Sequence, residues 1–412
     1  MISLNGQTSL ECRVCSSSSV EPVFDLGDQP LANALLDSPE QPEESYPLVL
    51  CRCGDCGLMQ LGFVPDPSVM FSHYSWVTGT SESTSRYLRG LTAGLAERVG
   101  GWADCKVLEV ASNDGTLLRM IQAQGADVLG VDPAANLAAQ ASAAGIATLP
   151  DFFTSASAEQ LAEERGPFDV AIARNVLPHV PDPGDLISGM ARSIGPNGFI
   201  VIEFHWANEI LRGLQYDSIY HEHACYLRLA DVESMLSRVG FTVLDILPSP
   251  ISGGSLVAIA ARAGTSTAAV SEARSAERES GVNTAEAWHR FAQDASEHRD
   301  QTAEVLSRYR GAPAVAFGAS ARSSTFLNYL SQVASPRIDA LIESNPLKQG
   351  KFTPGTHVPI VSLPDGLAVE PQSCLLLAWN FADEIKQTMA DAGFRGDTVI
   401  AFPAPTRVVQ SA

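Results

Sequence analysis

The stretch KVLEVASNDGTLL, residues 106–118, decides the fold of this chain. It opens with a short apolar run that carries Glu109 near its end. It then turns through Ala111-Ser112-Asn113-Asp114-Gly115 and continues into the apolar positions Leu117, Leu118 and Ile121. That order predicts a strand, a tight loop and a helix. Small side chains let the loop backbone approach a ligand closely, and a helix start offers unpaired N–H groups. The next predicted strand, 127–131, ends at Asp132. An acidic residue about 20 positions beyond such a turn suits a ribose diol, so the pattern points to a nucleotide-type cofactor. An ordinary α/β turn with a surface aspartate is the alternative. The chain has no G-x-G-x-x-G run here, which argues against a simple dinucleotide site.

The chain has 412 residues, enough for two or three domains with separate cores. Its 47 acidic and 27 basic residues leave a formal net charge of −20. Such a chain is a poor partner for nucleic acid or an anionic membrane. The first seven residues are short and polar, and no long apolar span follows, so a cytoplasmic protein without membrane contact is expected.

Five of the eight cysteines fall between positions 12 and 56. Cys12-Arg-Val-Cys15 and Cys53-Gly-Asp-Cys56 are two C-x-x-C knuckles, and four thiolates suit a closed tetrahedral Zn2+ site. Closed coordination leaves no place for substrate, so this zinc is expected to be structural. Cys51 lacks the knuckle spacing and is read as a spare thiol. Residues 64–86 read as a linker and loop carrying His73, Tyr74 and Trp76, either a functional loop or aromatics that pin the linker down.

From residue 87 to about 263, helical patterns alternate with candidate strands at 106–110, 127–131, 170–173, 199–203, 242–247 and 256–261. Alternation predicts a doubly wound sheet with ligands at the carboxyl ends of its strands. Asp151-Phe152-Phe153, Arg174-Asn175 through His179, and Glu203-Phe204-His205-Trp206 are placed to reach those ends. The first offers an acid and apolar walls for an adenine ring. The stretch 215–226 packs Tyr220, His221, Glu222, His223 and Tyr226 into seven positions. H-E-H lacks the spacing of a zincin helix. Together with His179 the cluster points to acid–base chemistry. Surface polar residues at a helix start are the other reading.

Residues 268–310 read as mostly helix with a solvated charged face, bridging domains. The segment AVAFGASAR, residues 314–322, repeats the strand–glycine–loop–helix logic. Further strands are expected at 338–342, 374–378 and 398–401. This second α/β unit carries its own anion-binding helix start. The basic Lys348-Gln349-Gly350-Lys351 and the turn Pro354-Gly355-Thr356-His357 suggest a phosphate-bearing substrate, or a solvated loop.

The chain resembles, over nearly its whole length, the three-domain S-adenosylmethionine-dependent C-methyltransferases of nucleotide-linked deoxysugars. The resemblance is carried by CRVC (12–15), CGDCGL (53–58), LEVASNDGTLL (108–118), VLGVDPAAN (128–136), NVLPHVPD (175–182), YDSIYHEHACYL (216–227), GGSL (253–256), FGASAR (317–322), KQGKFTPGTHVPI (348–360) and LAWNF (377–381). It implies an α/β chain with a small zinc-binding domain at 1–72, a central Rossmann-like methyltransferase domain at 73–265 and a Rossmann-like α/β domain at 266–412. Zinc would sit on Cys12, Cys15, Cys53 and Cys56. S-adenosylmethionine would be held by Glu109, the loop Ala111, Ser112, Asn113, Asp114 and Gly115, then Asp132, Pro133, Asp151, Phe152 and Asn175. Tyr74, His179, Tyr220, Glu222 and His223 would line the reaction site, with His223 as the general base.

Tyr226, Ser320, Arg322, Lys351 and His357 would bind a nucleotide-linked sugar as partner substrate, in a monomer or weak homo-oligomer of deoxysugar and antibiotic biosynthesis. An O- or N-methyltransferase and a non-catalytic cofactor- and zinc-binding module are the alternatives. The chain departs from the family pattern at Ala111, in place of glycine. It also departs at Ile251-Ser252 and Val257, in place of a histidine and an arginine, and at Glu203-Phe204-His205-Trp206, in place of Glu-x-Pro-His.

Overall fold

The computed structural model describes residues 10–66, 70, 78–80 and 82–410. Its largest sheet has seven strands, in the edge-to-edge order Thr242–Ser249, Ser255–Ala261, Ile194–His205, Phe168–Arg174, Lys106–Val110, Asp127–Val131 and Thr148–Leu149. The last five run parallel, and Ser255–Ala261 lies antiparallel to both its neighbours. All seven residues of Ser255–Ala261 are buried, as expected of a strand covered on both faces. The chain order reverses between Lys106–Val110 and Phe168–Arg174, which is where a doubly wound sheet opens a ligand crevice. All six strands expected in this region are present, several of them longer than their apolar runs.

The second α/β unit is a six-stranded sheet in the order Ile360–Val361, Ala340–Ile342, Ala314–Phe317, Ser373–Leu376, Asp397–Ile400 and Arg407–Val409. All its pairings are parallel except the last. The helix after its first strand, Ala321–Ser331, is capped by Ser320, whose hydroxyl accepts from the Ser323 amide.

The amino-terminal segment forms a sheet that the apolar pattern did not announce. Val20–Pro30 pairs antiparallel with Ser45–Cys53, which pairs with Met59–Leu61. The fourth strand, Cys225–Tyr226, is supplied by the distant stretch 215–226. Among the described residues of the expected loop 64–86, Thr78–Thr80 form a 3-10 turn and a helix from Glu82 to Val99 begins within its last residues.

The expected helical bridge is two helices, Ala268–Ser280 and Ala285–Ser307, separated where Gly281 takes a left-handed φ of 71°. One stripe of the longer helix, Trp288, Phe291, Ala295, His298, Thr302 and Leu306, is buried at helical spacing. Its apolar members join one core with Phe24, Leu26 and Leu50 of the amino-terminal sheet and Phe326, Tyr329 and Leu330 of the second α/β unit. The charges of this bridge are not all a solvated face: Glu277 is buried and accepts hydrogen bonds from the Trp206 indole at 2.7 Å and the Leu229 amide at 2.5 Å. It thereby caps the helix Leu229–Arg238. Among the described residues no helix is long and apolar enough to cross a membrane.

Trp288 is fully buried, packs against Phe291 at 5.2 Å between ring centres and donates its indole N–H to the Val282 carbonyl at 2.7 Å. Trp288→Ala is therefore expected to cost about 3–5 kcal/mol in denaturant-induced unfolding, with the loss felt in the shared core of the first and third segments.

Candidate active site

The four knuckle cysteines converge, with their sulfur atoms all within 4.8 Å of one another. Cys12 and Cys56 Sγ are 3.5 Å apart, and Cys15 and Cys53 Sγ are 3.6 Å apart. A zinc ion with sulfurs at about 2.3 Å in a tetrahedron requires sulfur–sulfur edges of about 3.8 Å. The amides of Cys15 and Cys56 point at Cys12 and Cys53 Sγ, both at 3.5 Å, as knuckle turns provide. The donor set fits zinc. Cys51 stays outside the cluster, and burial pushes its thiol up to about 12. The zinc knuckle is tied to the central domain by Arg13 to the Pro181 carbonyl at 3.0 Å and Arg228 to the Cys56 carbonyl at 2.6 Å.

The loop after Lys106–Val110 is built from left-handed residues, with φ of 56° at Ala111, 54° at Asn113 and 72° at Gly115. The first explains why glycine is the easier residue there. The loop fits against the next strand because Gly130 has no side chain: a Cβ there would sit 2.4 Å from Ser112 Oγ. Asp132 is oriented by the amides of Asn113 at 2.8 Å and Ala134 at 2.9 Å. At this crevice Glu109 Oε2, Ser112 Oγ and Asn175 Oδ1 are buried atoms with no hydrogen-bond partner among the described residues.

Burial pushes the Glu109 carboxyl up to about 8, against the pull of Arg174. Arg174 itself binds Glu203 at 2.7 Å, and Glu203 also accepts from the Tyr87 hydroxyl at 2.7 Å and the Ser249 hydroxyl at 2.6 Å. This buried network stiffens the strand ends around the crevice. Orphaned polar atoms in a small-residue crevice fit a polar nucleoside cofactor. Asp151 and Phe152 lie beyond the next strand end, with Phe152 48% exposed and thus available as a ring face. Pro133 is half-buried in the turn after Asp132.

The stretch 215–226 is not a surface helix start. Its residues are buried except the half-buried Tyr220, with a 3-10 turn at Tyr216–Ser218 and no helix through the histidines. His223 Nδ1 lies 3.1 Å from the Ser218 carbonyl, which can only accept, so that nitrogen carries the proton. His223 Nε2 is then bare and accepts the Tyr220 hydroxyl at 2.8 Å. Burial first, and then neighbouring His179 and His205, hold His223 well below its usual value. The same burial pushes Tyr220 well above the ordinary tyrosine range.

His179 stands edge-on to His223 at 4.9 Å, and burial lowers it to about 4, opposed by a hydrogen bond to the Glu222 backbone. The Glu222 carboxylate accepts from Asn33 Nδ2 at 2.6 Å, a contact from the amino-terminal segment. A lone Asn33 inside the apolar run PLANALL (30–36) was the one signal for it. Tyr74 lies outside the described residues, as do His73 and Trp76.

The residues expected to bind substrate are brought to the junction of the three segments, and the side chains of four of them are already partnered within the chain. Arg322 grips Asp217 with two nitrogens, at 3.0 and 2.7 Å, donates to the Ser252 carbonyl at 2.6 Å and lies 4.7 Å over the Trp379 ring. Lys351 binds Asp37 at 2.8 Å and His357 binds Glu43 at 2.7 Å. The Ser320 hydroxyl is the cap of Ala321–Ser331, and Tyr226 is buried in the strand paired with Met59. The departures sort by place. Ser252, at φ 58°, lends its carbonyl to the Arg322 clasp, Val257 is a fully buried core residue, and His205 bonds to Gln215 at 3.2 Å.

Comparisons with known proteins agree segment by segment. Residues 82–246 match the family described as methyltransferase domain, 12–71 a zinc binding domain, and 250–405 the C-methyltransferase C-terminal domain. Among solved structures, magnesium protoporphyrin IX methyltransferase from Synechocystis with bound SAM aligns at 18% identity and a TM-score of 0.35, covering 43% of this chain and 79% of that one. The Azorhizobium caulinodans ubiquinone biosynthesis O-methyltransferase is 30% identical over 46% of this chain and 71% of its own. The protein is an S-adenosylmethionine-dependent methyltransferase with a zinc-binding domain. Over its full length it is similar to the C-methyltransferase NovU of Streptomyces niveus, with 32% identity across 97% of both chains. It belongs to that C-methyltransferase family.

Two outcomes follow from the site. The protein should carry about one zinc per chain by elemental mass spectrometry, and Cys12→Ser with Cys56→Ser should lose the metal and lower the melting temperature. Folding stability should also fall in acid. Burial holds His179 and His221 down to about 4 and His205 to about 3, whereas unfolded histidine titrates near about 6.5. Below that pH the unfolded chain binds more protons at these histidines, so their contribution is complete above about 6.5 and is lost progressively toward pH 4. It is offset in part by the buried Glu109, Asp132 and Glu277 carboxyls, whose raised values act in the opposite sense. A melting temperature that stays flat from pH 7 to 4.5 would contradict this.

Proposed function

We propose that the enzyme methylates a carbon next to the ketone of a nucleoside-diphosphate 4-keto-deoxysugar. The observation that carries the reading is the Ser218–His223–Tyr220 chain of hydrogen bonds, which presents a bare imidazole nitrogen and a phenol at one point. A ketone acidifies the neighbouring C–H. His223 Nε2 takes that proton and becomes imidazolium, with its Nδ1 proton held on the Ser218 carbonyl. The Tyr220 hydroxyl turns from His223 to the enolate oxygen, where charge develops, with His179 as the second donor close by. Glu222 steadies the imidazolium. Burial keeps His223 neutral in the resting enzyme, so its Nε2 is free of a proton and able to accept one.

S-adenosylmethionine, when bound, supplies an electrophilic methyl group on a cationic sulfur. Glu109, the 111–115 loop, Asp132 and Asn175 are the residues that would hold it. The nucleotide end is assigned to the third segment, where half-buried Lys348 sits beside Glu343 and donates to the Ala319 carbonyl at 2.6 Å. An O-methyltransferase is the second reading, favoured by the match of the central domain to the ubiquinone enzyme.

The test is mass spectrometry of a reaction with S-adenosylmethionine and a thymidine-diphosphate 4-keto-deoxysugar. Carbon methylation predicts an acid-stable product heavier by one methyl and deuterium uptake at the ring carbon. An acid-labile product without exchange would favour oxygen. His223→Asn is expected to lower turnover at least about 100-fold with cofactor affinity by calorimetry unchanged; full turnover would remove His223 as the base.

A further inference from the structure

We propose that Asn33, carried by the zinc-binding segment, is a positioning residue of the reaction site that holds the Glu222 carboxylate against the Tyr220–His223 pair. The inference rests on the reading of Glu222 as the partner of His223. Its basis is the 2.6 Å bond from Asn33 Nδ2 to Glu222 Oε1, made across 189 residues of sequence.

The loop that carries Asn33 is fixed from outside. Leu36 and Phe352 exchange backbone hydrogen bonds at 3.0 and 2.8 Å. Asp37 is bound by Lys351 at 2.8 Å, and Glu43 receives His357 at 2.7 Å. The third segment therefore clamps the loop, and the loop presents one amide to the central domain.

An amide suits that place. It orients a carboxylate by donating a hydrogen bond and brings no charge, so the carboxylate keeps its full pull on the groups it faces. A lysine or arginine at position 33 would fix Glu222 equally well and cancel that pull. The titratable groups that feel the Glu222 carboxylate include Tyr220, which itself bonds to His223, and Lys348 from the third segment, while His179 bonds to the Glu222 backbone. Lys348 already supplies one positive charge to the neighbourhood, and a neutral donor adds none.

The experiment compares the full-length zinc-bound enzyme with its Asn33→Asp variant, in wild-type and Glu222→Gln backgrounds. Asn33→Asp replaces the donor with a second carboxylate of the same shape. Two like charges then raise the titration midpoint of Glu222 by about one pH unit, read by carbon-13 NMR of the carboxyl without any acceptor substrate. With the thymidine-diphosphate sugar, kcat at neutral pH should fall about 10- to 100-fold, the acid limb of the pH profile should move upward, and KM for the cofactor should stay unchanged. In Glu222→Gln the substitution should produce no further movement of the limb.

A lowered melting temperature with unchanged Glu222 titration and an unchanged pH profile would overturn the inference and leave Asn33 as a staple between segments. If Asn33→Asp does not fold, Asn33→Ser serves: it removes the reach of the donor, and a wild-type kcat in it is equally fatal. Turnover retained in His223→Asn would instead overturn the catalytic reading of the cluster.

Discussion

The proposed reaction site hangs on a short run of main-chain hydrogen bonds. Leu61, at the end of the strand that follows the second zinc knuckle, donates its amide to the Ala224 carbonyl at 2.9 Å. Ala224 donates in turn to the Pro178 carbonyl at 2.7 Å. Ala224 follows His223, and Pro178 precedes His179. Both ring positions are thus set by backbone geometry anchored in the zinc-held strand, with the strand pair of Met59 and Tyr226 beside it. Buried main-chain bonds of this kind are expensive to leave unmade, which makes them a stiff reference for side chains that must meet within tenths of an ångström.

On that frame, burial does the chemical tuning. One cause, removal from water, moves the groups in opposite directions: the tyrosines up, the histidines down and Glu109 up. The outcome is a set of neutral groups joined by hydrogen bonds, able to shift a proton without first neutralising one another. Charge is kept in closed units nearby. Arg174 is enclosed by Glu203 and faces Glu109, and Arg322 is enclosed by Asp217 and the Trp379 ring. The Arg322 unit joins the central and third segments, so the same contacts that hold the domains together also set the field around His223, which feels Arg322 directly.

Much of this was legible in the order of residues. The cofactor loop, its strands and the cysteine knuckles depend on spacings of a few residues, and such spacings survive into three dimensions. The cluster proposed for acid–base work stood out because seven positions held five titratable groups. Long-range pairings were not. The Cys225–Tyr226 strand is two residues long and its partner lies more than a hundred residues away, so no periodicity marks it. The basic residues near 350 read as either a phosphate cluster or a solvated loop, while their partners Asp37 and Glu43 sit in a segment whose fold could not be placed from pattern alone. Glu277 looked like one charge among many on a solvated helix, because only the packed helix Leu229–Arg238 reveals the amides it satisfies.

The four-stranded amino-terminal sheet closes with a strand drawn from the middle of the chain. During synthesis the edge of Met59–Leu61 therefore emerges long before its partner, and its ladder groups stay unpaired until residue 226 has left the ribosome. An open edge is a template for wrong pairing, and here it persists while the whole parallel sheet of the central domain is being made. Metal capture by the knuckles can precede that moment, since all four thiols are out by residue 56. The order of assembly written into the topology is metal first, the parallel strands of the central sheet second, and the closing Cys225–Tyr226 strand third, ahead of the two antiparallel strands at 242–261.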